Sequence, residues 1–327
     1  MMKLIATCIL FASLMASGGC EREAPETKGL LVDPSVLGNS VSNWQGERMN
    51  QSIASMTVLN NQTNRFLEAP DEARRQTWQS AWHQAHEDFH HATVLVEPII
   101  LQDIDVWPIA PGFLDALPEY PASGIISDLS VEITSATLNE QHMITDTSEA
   151  ALGFHVLEYY AFERPIEDMQ LKADALSERR RVLIRKVSDR LLTRVMNLRQ
   201  SLKADEGDAL PQATYPELVS KLAKRTNDIS SALNFSSEHG EYGGRGAQVI
   251  REEFSAISEL LNGEVNINRY LMSLSEQQTQ VLNTTLNDAI TLISIDGDLT
   301  ESDSSRLQLL AAAISHQFED FDAERSR

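Results

Sequence analysis

The chain has 327 residues, 42% of them hydrophobic and 23% charged. That length allows one large or two ordinary domains with true cores, and the composition excludes a disordered chain. Forty-eight acidic against 27 basic residues leave a formal charge of −21. This excess disfavours contact with nucleic acid or an anionic membrane through the protein surface, and it favours cations.

Taken in order, Lys3, an apolar run over residues 4–15 and small residues at 16–19 precede Cys20. This is the pattern of a secretory leader, and the run is too short to span a membrane. Small residues directly before a cysteine, followed by a polar stretch, match a bacterial lipobox in which Cys20 becomes the acylated first residue. Ser17 stands where a leucine is usual, and a plain signal peptide is the alternative. Cys8 lies in the leader, so the mature chain keeps at most Cys20 and no internal disulfide. Residues 1–20 are therefore read as a signal peptide with a lipobox. Residues 21–45, with Pro25, Gly29, Pro34 and Gly38, are read as a flexible tether.

An amphipathic helix is expected over residues 45–67, on Met49, Ile53, Met56 and Leu59. A stronger one follows over 71–97. Its apolar stripe is Trp78, Ala81, Trp82, Ala85, Phe89, Ala92 and Val96, and Pro98 limits it. His83, His86 and His90 lie on a stripe beside that face, at a spacing able to serve a metal, and His83 or His86 is the choice for a ligand. Histidines at a core boundary also occur simply as packing. Prolines at 108, 111, 118 and 121 break residues 99–121 into an irregular segment that carries Asp103, Asp105, Trp107 and Asp115. Segments of this kind in helical domains commonly line a site.

A helix is expected over 123–139, and then a central helix capped by Thr147 or Ser148. The central helix contains Gly153, His155 and Glu158 in a nearly all-apolar run ending at Phe162. On a helix His155 and Glu158 share one face, and an all-round apolar helix is buried. A buried, unpaired carboxylate costs several kcal/mol, roughly, so Glu158 requires a proton, a cation or a metal. The pair can equally be a satisfied structural one. Beyond Pro165, helices are expected over 173–204, 215–233, 246–261, 267–293 and 301–321. The glycine-rich loop at 236–246 lacks the preceding strand of a phosphate loop, and the acidic stretch at 294–305 lacks EF-hand spacing. No useful strand alternation occurs. The fold class is all-α, with two helical bundles over 46–165 and 173–327.

The run Gly153-x-His155-x-x-Glu158 resembles the GxHxxE signature of the imelysin-like proteins, also called peptidase family M75. Val106-Trp107-Pro108-Ile109 with Asp115 resembles that family's upstream WP stretch. The likeness is clear over residues 46–162 and looser beyond, and the C-terminal end departs from the family's glycine- and phenylalanine-containing tail. It implies an imelysin-like fold and a site centred on His155 and Glu158, with Gly153, Trp107 and Asp115 lining the pocket; His83 and His86, chosen from the histidine stripe, are the candidate further metal ligands. It also implies a metal ion, iron favoured and zinc possible, taken up free or as a chelate, and a role in iron acquisition. The setting would be the bacterial envelope: a periplasmic protein anchored through Cys20 to the outer membrane, with an envelope transport partner and no nucleic acid. The peptidase reading is the alternative, yet HxxE supplies two ligands and no base, where a zincin supplies both. A ligand- or partner-binding protein with a structural His–Glu pair is the third reading.

Overall fold

The computed structural model describes residues 34–171, 174–207, 214–233, 242–293 and 299–325. The expected leader with Cys20 and the first part of the expected tether lie outside them. Thirteen α-helices run along the described chain: α1 Pro34–Glu68, α2 Glu72–Thr93, α3 Pro98–Leu101, α4 Pro111–Leu114, α5 Gly124–Ser127, α6 Ser135–Gln141, α7 Phe154–Glu158, α8 Ala175–Gly207, α9 Tyr215–Ala232, α10 Gly246–Asn262, α11 Ile267–Leu274, α12 Glu276–Leu292 and α13 Glu301–Arg325. A π-helical turn, Tyr159–Glu163, continues α7. No strand occurs among the described residues, so the all-α class stands.

Apolar side chains gather into two cores. The first holds Met49, Phe66, Trp78, Trp82, Phe89, Phe154 and Tyr160, together with Leu183, Val187, Leu191 and Val195 of α8. The second is built by α9 to α13 and takes in Leu37 and Trp44 from the start of α1. At 35 residues α1 is about 52 Å long, enough to serve both. Two sequence expectations change as a result. The tether over 21–45 is helical from Pro34 onward, because Leu37 and Trp44 find an apolar home on a bundle remote in sequence. The division at 173 also shifts, because α8 packs on α1 and α7 and its apolar face belongs to the first core.

Local chemistry explains three other differences. The helix expected over 123–139 is two short pieces: Asp128 closes α5 and accepts from Ser130, and Thr134 caps α6 by accepting from Thr137 N–H. The helix expected over 267–293 breaks at Ser275, whose side chain caps α12 by accepting from Gln278 N–H. The central helix begins at Phe154, with Gly153 at its N-cap rather than inside it, so neither Thr147 nor Ser148 caps it. Asp71 caps α2, and Phe66 stacks on Trp78 at 4.9 Å where α1 turns into α2.

Candidate metal centre

Three elements meet where the two cores adjoin. From α2, His86 and His90 lie one turn apart and point off the Trp78–Trp82–Phe89 face into the interior, at 2% and 7% exposure. From the irregular segment comes Asp105. From α7 come His155 and Glu158, both essentially inaccessible.

Gly153 fixes how the last two elements fit. Its φ is +108°, and a Cβ there would sit 2.9 Å from the carbonyl oxygen of Ile104. Phe154 N–H donates to that same oxygen at 2.9 Å, so the chain around Asp105 is pinned against the first turn of α7. Trp82 Nε1–H donates to the Phe154 carbonyl at 2.9 Å and ties α2 to the same point. Arg75 and Gln79 of α2 then satisfy carbonyl oxygens of the π-helical turn, at Ala161 and Phe162. A wider turn leaves such groups without regular helical partners, and α2 supplies them.

Asp105 is the hub. Its Oδ1 lies 3.0 Å from His86 Nε2 and 3.1 Å from His155 Nε2, and its Oδ2 lies 2.8 Å from His90 Nε2. The two Nε2 atoms of His86 and His90 are 3.2 Å apart. Behind them, His90 Nδ1 contacts Glu253 of α10 at 2.7 Å, and His155 Nδ1 contacts Glu158 at 2.6 Å. Glu158 also accepts from the Gly243 N–H at 2.8 Å, so the end of the glycine-rich loop closes over it. Tyr242 beside it meets the Trp107 and Tyr159 rings, and Trp107 lies 4.7 Å from His155 between ring centroids.

Burial by itself lowers the pKa of His90 and His155, but Asp105 with Glu253 in one case, and with Glu158 in the other, outweighs it and raises each to about 9. His86 is driven well below the usual histidine range by burial, against the pull of Asp105 and with the push of its two histidine neighbours. For Glu253, burial raises and Arg225 with His90 lowers, leaving it below the ordinary carboxylate value. Three carboxylates (Asp105, Glu158, Glu253) thus face two imidazoliums and the guanidinium of Arg225.

Ligand atoms of His86, His90 and Asp105 lie within 4.8 Å of one another, a set that can hold a metal ion. Around a tetrahedral ion with bonds of about 2.1 Å, neighbouring ligand atoms sit roughly 3.4 Å apart. The observed 2.8–3.2 Å spacings to and between these groups need only a slight opening. Anchoring of the far imidazole nitrogen by a carboxylate, as Glu253 does for His90 and Glu158 for His155, is how metal-binding histidines are held. The donor set fits a transition ion and lacks the oxygen-rich shell calcium requires.

The sequence-selected residues divide accordingly. His155, Glu158, His86, Gly153 and Trp107 come together. His83 lies outside the ligand set, against Phe162 and the Gly243 backbone, and burial with Arg245 nearby lowers its pKa to about 4. Asp115 does not line this site. It is fully buried in its own ion cluster, with both oxygens taken by Arg180 at 2.6 and 2.9 Å. Sequence reasoning left Asp105 and Glu253 unselected and placed His90 second to its neighbours. The i, i+4 spacing of His86 and His90 was the available signal for His90; nothing local marks Asp105 or Glu253.

A family model described as imelysin, peptidase M75, matches residues 47–293. The chain belongs to the imelysin family. Among solved structures, a putative iron-regulated protein A precursor from Parabacteroides distasonis superposes with a TM-score of 0.66 at 13% identity, over 91% of this chain and 97% of that one. An imelysin-like protein from Psychrobacter arcticum gives 0.66 at 14% identity, over 88% and 94%. At such identities the likeness carries the imelysin fold alone. No curated protein matches the chain.

Proposed function

We propose that this imelysin-family chain captures a transition metal ion, iron before zinc, for metal acquisition at the bacterial envelope. The observation that carries the reading is the convergence of three buried imidazole Nε2 atoms on the one carboxylate of Asp105, two of them braced from behind by Glu158 and Glu253. His86, His90 and Asp105 would hold the ion, with His155 facing it across Asp105. The description of one structural neighbour as iron-regulated supports iron. The leader and Cys20 support a periplasmic, lipid-anchored protein of the outer membrane that receives an ion or chelate and passes it to an envelope transport partner. The acidic surface argues against nucleic acid as a partner.

Capture is favoured over peptide hydrolysis by the state of Glu158. One oxygen is held by His155 and the other by the Gly243 N–H, and the side chain is fully buried, so Glu158 stands as a brace behind His155 rather than as a base facing water. Metal content by mass spectrometry, on protein purified without chelators or a histidine tag, tests the proposal. About one equivalent of ion in the native chain and in His83→Ala, lost in folded His86→Ala/His90→Ala, is the expected result. If all three proteins carry no ion and refuse added iron and zinc, the cluster is a structural ion network.

A further inference from the structure

A cavity of about 360 Å³ lies on the far side of His90 from Asp105. Helices α9 and α10 face each other across it with matching stripes: Arg225, Asp228, Ile229 and Ala232 on one, Gly246, Val249, Ile250 and Glu253 on the other. Both sets follow the i, i+3, i+4, i+7 spacing of a single helix face, so two faces that would ordinarily interlock are held apart. Pro98 completes the lining. The volume falls within the range of small-molecule sites and equals that of about a dozen waters.

The walls at Pro98, Ile229, Ala232, Val249 and Ile250 are apolar. Of the four polar residues, His90 and Glu253 are engaged with one another and with the metal cluster. Arg225 gives Nη2 to Glu253, and no other acceptor among the described residues takes its remaining N–H groups. The Asp228 carboxylate accepts no hydrogen bond and makes no ion pair within 4 Å among the described residues; its charged neighbour is Lys224, one turn earlier, which is itself paired with Glu97. The cavity thus offers one cation and one anion a single helical turn apart, set in an otherwise apolar wall.

We infer that this cavity binds a small zwitterion with an apolar body, of the size and chemistry of a hydrophobic α-amino acid. Its carboxylate meets Arg225, its ammonium meets Asp228, and its side chain lies against Ile229, Val249 and Ile250. Hydrogen bonds to charged groups contribute about 1.5–3 kcal/mol each, which is roughly a tenfold to hundredfold effect on affinity. A ligand lacking either charge therefore binds markedly less well. The inference stands apart from metal capture, because neither Asp228 nor Ala232 contacts the histidine cluster.

Calorimetric titration of the full mature chain with L-leucine, L-phenylalanine, isocaproate and isoamylamine tests it. Saturable binding of an amino acid is expected, with both one-charge fragments at least about tenfold weaker. Asp228→Asn should weaken the amino acid by a similar factor while leaving isocaproate unchanged, and Ala232→Trp, which fills the mouth, should abolish binding. Both variants should melt like the native chain and keep its metal content. No saturable heat with either amino acid, equal affinity for the fragments, or indifference to both substitutions would overturn the assignment.

Discussion

His155 Nε2 lies 3.1 Å from Asp105 Oδ1, and the two residues are brought together by a single backbone hydrogen bond, from Phe154 N–H to the carbonyl oxygen of Ile104. Each donor and acceptor in that bond is the chain neighbour of a site residue. The signature helix and the irregular segment are therefore registered by backbone, and their side chains inherit the geometry.

Gly153→Ala is expected to break this registration. A φ of +108° with ψ near 177° is a region only glycine occupies freely, costing other residues roughly 1–3 kcal/mol, and the new Cβ would crowd the Ile104 carbonyl. Denaturant titration should show the loss of stability, and metal affinity should fall although no ligand has been changed.

Removing the hub should be more damaging than removing a sequence-selected histidine outside the cluster. Asp105→Ala leaves His86, His90 and His155 without their common acceptor, so both metal content and melting temperature are expected to drop. His83→Ala, at a residue outside the ligand set, should retain the ion. Equal metal content in both variants would remove Asp105 from the site.

The bracing carboxylate gives a graded prediction. Glu253→Gln keeps the shape of the side chain but weakens its hold on His90 Nδ1, and loss of such a partner typically costs about 10- to 100-fold in metal affinity. Competition with a chromophoric chelator reads this directly, and an unchanged affinity would confine Glu253 to packing.

At His90 a proton and the metal compete for the same imidazole. Histidines 90 and 155 have folded pKa values raised to about 9, so their contribution to metal-free stability is complete below about pH 6.5 and lost as pH rises through about 9. The melting temperature of metal-free protein should fall over that window. Metal binding should strengthen over it and release about one proton per ion, since His90 alone among the ligating imidazoles carries a proton there. Calorimetry in buffers of differing ionisation enthalpy counts the protons released.

Asp115 supplies the contrasting case. Its bidentate pairing with Arg180, buried on both sides, joins the irregular segment to α8, and breaking such a pair by removing one partner costs about 3–5 kcal/mol. Asp115→Ala should therefore unfold at lower denaturant while the folded fraction keeps its metal. Loss of metal from the fully folded variant would place Asp115 back at the site.

Much of this protein was determined by the sequence alone. Helical periodicity and the lack of strand alternation gave the all-α class, because the apolar stripe of a helix such as α2 is a local property of the chain. The composition of the stretch around His155 and Glu158 showed that both are buried, since a helix apolar on every side has nowhere else to go. What local pattern does not contain is which distant groups satisfy a buried charge. Asp105 looked like one acidic residue among several in an irregular segment, and Asp115, marked by the family resemblance, looked the better candidate for the site. Only the packing of α7 on the Ile104 carbonyl gave the first to three histidines, and only the approach of α8 gave the second to Arg180. In the same way α1 reads as a tether in its first turns, because the core that buries Leu37 and Trp44 is assembled from helices far downstream. The rule that a buried charge must find a partner is written in the sequence; the partner's identity is a matter of tertiary proximity, fixed by how the two bundles pack.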